Sequence, residues 1–245
     1  ITSVLKRMKE GDTVFIDAGT YSETVVIDTN NISLIGADSS LSIINPPGAA
    51  GTSGLYGIYA SGRTGLTIDG LGITDAFYGM YLINVDSSII TRNNLYSNGQ
   101  NGLRMTSGSD SNLIAFNRSN GNNRAGMWIE NSNRNIIRNN YIANHTVVMA
   151  FSGYGIFLYN GSSYNYVYDN ILEVNSSANI YLYISSNYNQ IRNNTINSGA
   201  AWGILHTNSE RNVLSNNKIK SCANGIFVGG GDSEVLSSRY QTILG

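Results

Sequence analysis

A short phrase, a small residue followed by alternating apolar positions, returns along the chain at nearly constant intervals. Its copies begin at Gly57, Gly79, Gly102, Gly126, Gly155, Asn179, Gly203 and Gly225. Most copies are 22 to 24 residues apart, and one longer step of 29 residues leads to Gly155. A regular period of this size is typical of a repeat protein, in which each unit packs mainly against its neighbours.

Each unit also carries two asparagines five positions apart, and 34 of the 245 residues are asparagine. The first column holds Asn112, Asn135, Asn165, Asn189 and Asn212, with Ser88 in the earlier unit. The second column holds Asn93, Asn117, Asn140, Asn170, Asn194 and Asn217. Asparagine tolerates left-handed backbone angles, and its amide both donates and accepts hydrogen bonds. We therefore predict that both columns are structural ladders at the corners between short strands.

Three short alternating strands per unit predict the fold class. The period is too short for a propeller blade, and strand-like alternation excludes paired helices. The pattern predicts an all-β parallel β-helix, in which each strand stacks on its copy in the next coil about 4.8 Å away. We expect about nine to ten coils in a single domain over 1–245. Within it we predict a capping helix at 1–10, first coils at 11–55, regular coils at 56–245 and an inserted loop at 144–152.

The coil phrase G-I-x-L…N-x-I-x-x-N-x-I and the opening GDTVFIDAGTYSETVVID at 11–28 resemble a known family. They resemble the right-handed parallel β-helix proteins of the pectin-lyase-like superfamily, and most of all its asparagine-rich carbohydrate-binding and sugar-hydrolase (NosD-like) branch. The resemblance covers nearly the whole chain and implies a right-handed solenoid. It implies little about activity, because the same coil carries lyases, hydrolases, epimerases, adhesins and scaffolds.

The outward side of the anchor strands is predicted to be rich in aromatic residues. Side chains alternate along a strand, so the residue after each anchor faces inward and the next faces outward. Six of the eight residues in this outward column are aromatic. We define the aromatic strip as the outward residues Tyr59, Tyr81, Arg104, Trp128, Glu130, Phe157, Tyr159, Tyr181, Tyr183 and Phe227. The strip fits a polysaccharide groove, a self-assembly surface or simple cross-strand packing, and we favour polysaccharide binding.

The sequence does not identify catalytic residues. Glycoside hydrolysis needs two facing carboxylates, and the aromatic strip offers one clear candidate, Glu130. Lyase or epimerase chemistry could use Arg104, Tyr159 and Glu130, but the acidic clusters and Asp-Pro motifs of such family enzymes are absent. We therefore favour a binding module over a polysaccharide lyase, hydrolase or epimerase.

Composition argues against several other classes of protein. A net charge of −1 provides no basic excess for nucleic acid, and no apolar run approaches the ~18 residues of a membrane span. Two histidines and Cys222 do not make a metal site, and we predict neither a metal nor a cofactor. His206 is predicted to pack in the core, and His145 is predicted to lie on the surface of the inserted loop.

The expected partners are a polysaccharide or other copies of the chain. The resemblance implies a secreted or cell-surface protein, with the periplasm as a further possibility. The stretch VLSSRYQTILG at 235–245 shows no capping helix. An uncovered coil end invites strand pairing, so the alternative function is a structural surface protein that forms filaments.

Overall fold

Twenty-eight short strands and one helix make up the described part of the chain. The computed structural model describes residues 1–146, 150–197, 200–229 and 242–244. The helix is α1 (Thr2–Leu5), and the strands in chain order are β1 (Thr13–Ile16), β2 (Gly19–Tyr21), β3 (Val25–Ile27), β4 (Ser33–Gly36), β5 (Ser42–Ile44), β6 (Tyr56–Thr64), β7 (Thr67–Asp69), β8 (Gly72–Thr74), β9 (Tyr78–Asp86), β10 (Ile89–Thr91), β11 (Asn94–Tyr96), β12 (Asn101–Thr106), β13 (Leu113–Ala115), β14 (Arg118–Asn120), β15 (Ala125–Glu130), β16 (Ile136–Arg138), β17 (Tyr141–Ala143), β18 (Tyr154–Tyr159), β19 (Tyr166–Tyr168), β20 (Ile171–Glu173), β21 (Ala178–Tyr183), β22 (Gln190–Arg192), β23 (Thr195–Asn197), β24 (Trp202–Thr207), β25 (Val213–Ser215), β26 (Lys218–Lys220), β27 (Asn224–Gly229) and β28 (Thr242–Leu244).

The strands form three parallel sheets that run along the solenoid. Sheet A has ten strands in the order β1-β4-β7-β10-β13-β16-β19-β22-β25-β28. Sheet B has nine, β2-β5-β8-β11-β14-β17-β20-β23-β26, and sheet C has nine, β3-β6-β9-β12-β15-β18-β21-β24-β27. Because each sheet takes every third strand, the chain passes through A, B and C once per coil. The prediction of an all-β parallel β-helix of nine to ten coils is confirmed.

One continuous hydrophobic core fills the interior of the coils. Seven of the eight residues that follow the anchors are fully buried in it, namely Ile58, Met80, Leu103, Met127, Ile156, Ile180 and Ile204, whereas Ile226 in the last coil is 37% exposed. Alternation also holds on the shorter strands, since Ile137 is buried while its neighbour Ile136 is 37% exposed. His206 pairs in register with Leu182 and Val228 and is buried, as predicted.

The N-terminal helix is shorter than the predicted 1–10. The Leu5 and Lys6 N–H groups make the last bonds to carbonyls four residues back. Beyond them, Arg7 and Met8 bond three residues back, which is the tighter 3₁₀ pattern. Leu5 is the helix residue that is buried in the core. Lys6 and Arg7 are exposed, and Met8 in the 3₁₀ turn packs against the core.

The corner asparagines bond from coil to coil in a repeating pattern. The Asn117 N–H donates to Asn140 Oδ1 at 2.9 Å, and Asn117 Nδ2 donates to the same oxygen at 3.1 Å. Asn117 Nδ2 also donates to the Ile90 carbonyl at 2.8 Å. The backbone N–H bond to the next Oδ1 recurs along both predicted columns. Each buried amide thus has its donors and acceptor paired, which is required where water cannot reach them.

The left-handed residue of each corner precedes the asparagine and is not the asparagine itself. Phe116, Asn139 and Tyr164 have φ values of 57°, 53° and 60°, and each stands directly before a column residue. Tolerance of left-handed angles therefore does not explain the columns. Their asparagines are required for hydrogen bonding, while the turn conformation is adopted by residues as unlike as Phe116 and Asn139.

Two further polar columns lie at the corners and were not predicted. One, between sheets B and C, contains Asn98, Asn122, His145 and Asn175. The other contains Ser109, Ser132, Ser162, Ser186 and Ser209. His145 is fully buried, so its predicted surface position was wrong. Residue 145 still belongs to a regular corner, and residues 147–149 of the predicted insertion lie outside the described part.

Replacing Asn140 by alanine is expected to lower the free energy of unfolding by about 1–3 kcal/mol. The substitution removes the acceptor of the Asn117 N–H and the donor to the Ile114 carbonyl, and both groups are buried. Urea unfolding followed by circular dichroism measures the change. Asn123→Ala is the matched control, because Asn123 is exposed and outside the columns, and it should cost less than about 0.5 kcal/mol. Parent-like stability of Asn140→Ala would contradict a stabilising role for the column.

Candidate functional site

The aromatic strip lies on the outer face of sheet C, and the chain itself covers much of it. Trp128, Phe157 and Tyr181 are buried although they point away from the interior. They form a second apolar cluster outside the coils with Ala125, Tyr154 and Ala178. Burial raises the pKa of Tyr181 to about 12, so its hydroxyl stays protonated at neutral pH.

The buried part of the strip is held by ring-to-ring packing. Phe157 lies 4.5 Å from Trp128 in an edge-on contact and 4.9 Å from Tyr181 in a stacked contact, between ring centroids. Phe151, from the loop that follows β17, stacks on Tyr183 at 6.1 Å. Phe157 therefore supports this surface and presents no free ring face, whereas Tyr159 and Tyr183 remain partly exposed.

Two other groups of rings lie towards the ends of the same face. Near the N-terminal end, Tyr59 and Tyr81 contact each other and two further tyrosines, Tyr56 and Tyr78. All four are partly exposed. Towards the other end, Phe227 is exposed and packs edge-on against Trp202 at 5.1 Å. The strip is therefore three groups of rings and not one uniform surface.

A polar centre separates the first group of rings from the second. Arg104 Nη2 donates to Glu130 Oε2 at 2.5 Å in a half-buried ion pair. Trp128 Nε1 donates to the same carboxylate oxygen at 3.3 Å. The Arg104 guanidinium also lies 4.9 Å from the centroid of the Trp128 ring, within the range of a cation–π contact.

Arg124 is a second cation of this centre, and sequence reasoning missed it. Its guanidinium lies 4.1 Å from the Trp128 ring centroid, and its Nε donates to the Phe151 carbonyl at 3.0 Å. Burial, together with the nearby charge of Arg104, lowers the pKa of Arg124. The equivalent position of the other coils holds unrelated residue types, so the repeat gave no signal for it.

These residues surround a cavity of about 230 Å³ on the outer face of sheet C. Its lining consists of Tyr78, Arg104, Arg124, Trp128, Glu130, Phe151 and Tyr159. Two guanidinium groups face one carboxylate, so the cavity carries a local excess of positive charge. Burial raises the pKa of Tyr78, which keeps its phenol protonated as a hydrogen-bond donor.

Asn101 lies on the same strand as Arg104, is fully buried and pairs in register with Ala125 in sheet C. Neither its side-chain oxygen nor its nitrogen has a hydrogen-bond partner among the described residues. Asn101 is not among the residues that line the cavity, and its buried side-chain atoms present no surface to a ligand.

Within the described ranges, no group of three or more histidine, cysteine, aspartate or glutamate residues could hold a metal ion. None of the helical segments described is long and apolar enough to cross a membrane.

The family model described as right handed beta helix region matches residues 20–162 and 107–239. The two matches overlap and together extend over most of the sequence. The chain therefore belongs to the right-handed β-helix family, and its fold is that of the pectin-lyase-like superfamily. The narrower NosD-like assignment stays a prediction.

Several solved structures share this fold. The periplasmic alginate epimerase AlgG has a TM-score of 0.59 and 18% identity, over 92% of this chain and 60% of its own. The alginate lyase from Paenibacillus sp. str. FPU-7 has a TM-score of 0.64 and 16% identity, over 99% of this chain and 95% of its own. The DFA-IIIase from Arthrobacter chlorophenolicus A6 without its lid, in complex with GF2, has a TM-score of 0.65 and 16% identity, over 88% of this chain and 53% of its own.

Identities this low show the fold alone. The chain also spans only about three fifths of the epimerase and half of the DFA-IIIase. No curated protein matches the sequence. By their names, the first two of these proteins act on alginate, as an epimerase and as a lyase.

Proposed function

We propose that this protein binds an acidic polysaccharide on the outer face of sheet C, at the cavity between Arg104, Arg124 and Trp128. The observation that carries the proposal is the placement of two guanidinium groups on one indole ring, with a single carboxylate beside them. A site with more cations than anions attracts a negatively charged ligand, and guanidinium groups match the planar geometry of a carboxylate.

The surrounding rings support a sugar ligand over a simple anion. Tyr159 and Tyr183 are partly exposed on one side of the cavity, and Tyr59 and Tyr81 are partly exposed on the other. Aromatic residues combine apolar ring area with a polar edge, and a sugar ring likewise has apolar C–H faces and hydroxyl edges. A groove with rings on both sides of an anion-binding centre therefore fits a chain of acidic sugars.

A binding role is favoured over hydrolysis by the carboxylate content of the cavity. Glu130 is the one carboxylate in its lining, and its Oε2 atom already accepts bonds from Arg104 and Trp128. Hydrolysis of a glycosidic bond ordinarily uses a pair of carboxylates roughly 5–10 Å apart. Eliminative cleavage is the second candidate function, because the cavity combines arginine with the phenols of Tyr78 and Tyr159.

Replacing Arg124 by glutamine is expected to weaken binding of sodium alginate about tenfold, which corresponds to about 1.4 kcal/mol. Isothermal titration calorimetry at low salt measures this change. Arg118→Gln is the matched control, since Arg118 is an exposed arginine on sheet B that also lies over a ring, that of Tyr141, at 4.8 Å. The parent should bind alginate and not neutral dextran, and the control should behave like the parent.

Two results would overturn this proposal. The first is a parent protein that binds no acidic glycan, and the second is an Arg124→Gln variant with undiminished affinity. Incubating the parent protein with alginate tests the enzyme alternative. If the protein cleaved alginate by elimination, ultraviolet absorbance from an unsaturated product would appear.

We also propose that the protein acts outside the cytoplasm, at the cell surface or in the periplasm, where such polysaccharides occur. The support is the name of the epimerase, which places that relative in the periplasm. Self-assembly through the strip is less well supported, because Trp128, Phe157 and Tyr181 are covered by their own chain. The predicted open end at 235–245 lies outside the described residues apart from strand β28.

A further inference from the structure

We propose that the outer face of sheet A is a second binding surface for an acidic polysaccharide. The surface extends over four successive strands of that sheet, β16, β19, β22 and β25. Its central feature is one corner column in which an arginine, two tyrosines and an arginine follow one another: Arg134, Tyr164, Tyr188 and Arg211. The two tyrosine rings stack at 4.8 Å with an angle of 3° between their planes. Arg134 lies 5.8 Å from the first ring and Arg211 lies 5.3 Å from the second.

The fold does not require these large side chains. All four residues occupy the left-handed position of the corner, with φ between 56° and 60°. In the two preceding coils the same position holds Ser87 and Ser111, with φ of 50° and 59°. Serine adopts the turn equally well, so the turn itself does not account for two stacked tyrosines flanked by two arginines. Tyr164 and Tyr188 are 47% and 36% exposed, so these rings do not serve to fill the core.

The neighbouring strands extend the column into a surface that combines rings and apolar residues. Tyr166 is 44% exposed on β19, and Ile136 is exposed beside it on β16. A groove of about 280 Å³ runs between Tyr164, Tyr166, Tyr188, Gln190, Arg211 and Val213. Exposed aromatic and arginine side chains in one patch are the residues most enriched at binding surfaces.

The charge of this face indicates that its ligand is negatively charged. Arg134, Arg138 and Arg192 lie on this face, and none forms an ion pair with a carboxylate of the described residues. Elsewhere, Arg92 and Arg104 are paired with Asp69 and Glu130. With Arg211, the face has four guanidinium groups against the two carboxylates Asp169 and Glu210. The excess is positive although the whole chain has a net charge of −1.

The arrangement of these groups along the axis fits a linear polymer. Successive coils are about 4.8 Å apart, so Arg134 and Arg211, three coils apart, are separated by roughly 14 Å along the solenoid. Carboxylate or sulfate groups on a polysaccharide match the guanidinium fork, and sugar hydroxyls match the tyrosine edges. The surface lies on a different sheet from the cavity at Arg124, so it is a separate site.

The double variant Arg134→Gln/Arg192→Gln tests this inference, with sodium alginate as the probe and dextran as the neutral reference. Affinity electrophoresis in alginate gels should show at least a threefold rise in the apparent dissociation constant. Arg118→Gln, which removes one exposed arginine from sheet B, should be retarded by alginate as strongly as the parent. A second variant, Tyr166→Ser, should weaken binding in the same direction without changing charge.

The same measurements are repeated in the Arg124→Gln background, so that the two sites are judged separately. A further loss caused by Arg134→Gln/Arg192→Gln in that background supports the sheet A site whether or not the sheet C site is real. Unchanged binding, or an equal loss in Arg118→Gln, would overturn the inference. It would also be overturned if size-exclusion chromatography showed that the double variant acts by dissociating oligomers, or if a DNA oligonucleotide bound this face more tightly than alginate.

Discussion

Replacing Gly126 by alanine is expected to destabilise the protein by about 3 kcal/mol, near the upper end for overpacking a closed interior. A Cβ atom at this position would lie 2.5 Å from Ile142 Cγ2, 2.6 Å from His145 Nε2 and 2.8 Å from the Gly155 carbonyl oxygen. Two of these atoms belong to buried side chains, and the third belongs to the backbone of the next coil. None can move aside without disturbing the stacking of β15 on β18.

The same column offers a matched control for Gly126→Ala. Gly225 occupies the equivalent anchor position in β27, and no atom of the described residues lies within 4 Å of the Cβ that alanine would add. Gly225→Ala should therefore change the free energy of unfolding by less than about 0.5 kcal/mol. Thermal and urea unfolding of both variants provide the comparison. Equal losses of stability in the two variants, or a parent-like midpoint for Gly126→Ala, would show that the anchor glycines are not required for close packing between coils.

The fold was predictable from the sequence because each coil repeats the same local physics. Alternation placed Met127 inside and allowed only one of Ile136 and Ile137 to face inward, and Met127 and Ile137 are fully buried. The anchor glycines gave the period, and the structure shows the reason, since an added Cβ at Gly102 would lie 2.8 Å from the Gly126 carbonyl oxygen. The helix at the N-terminus was overestimated in length, because its amphipathic pattern is continued beyond Leu5 by a 3₁₀ turn that still packs Met8 against the core.

The candidate site was predictable only in part, since it depends on departures from the repeat. Trp128 and Glu130 were found because their strand positions recur. Arg124 and Phe151 were missed because one lies at a position without a pattern and the other belongs to the loop after β17. Alternation shows which side of a sheet a residue faces, but not whether another part of the chain covers that side. For this reason the burial of Phe157 could not be anticipated.

Stability is expected to fall steeply as the pH is lowered from 6.5 towards 4, because two histidines are buried in neutral form. Burial lowers the pKa of His145 to about 4 and that of His206 to about 4. In the unfolded chain both would titrate near 6.5, so within this window the unfolded state binds protons that the folded state does not. Each histidine therefore contributes up to about 3 kcal/mol of acid destabilisation, and neither has an effect above pH 7.5.

The substitution His145→Asn isolates one of these contributions. His145 Nδ1 lies 3.1 Å from the Asn122 nitrogen and accepts its N–H, as the Asn122 side-chain oxygen accepts the Asn98 N–H one coil earlier at 3.0 Å. Asparagine at 145 would therefore continue the column with a group that does not titrate. At pH 7.5 the variant should be within about 1 kcal/mol of the parent. At pH 4.5 it should be more stable than the parent by about 2 kcal/mol.

Urea unfolding of parent and variant at several pH values between 4.5 and 7.5 measures this difference directly. Carboxylates titrate in both proteins, so their contribution cancels when the two curves are subtracted. His206→Leu provides an independent second case, with Leu182 and Val228 as its neighbours in the interior column. Leucine also removes the 2.8 Å contact between His206 Nε2 and Asn212 Nδ2, which lowers the stability at every pH but leaves the comparison of the slopes unaffected. If the curves of the parent and His145→Asn ran parallel across the window, the imidazole would have to be charged or exposed in the fold. The inference that His145 is buried and neutral beside Asn122 would then be wrong.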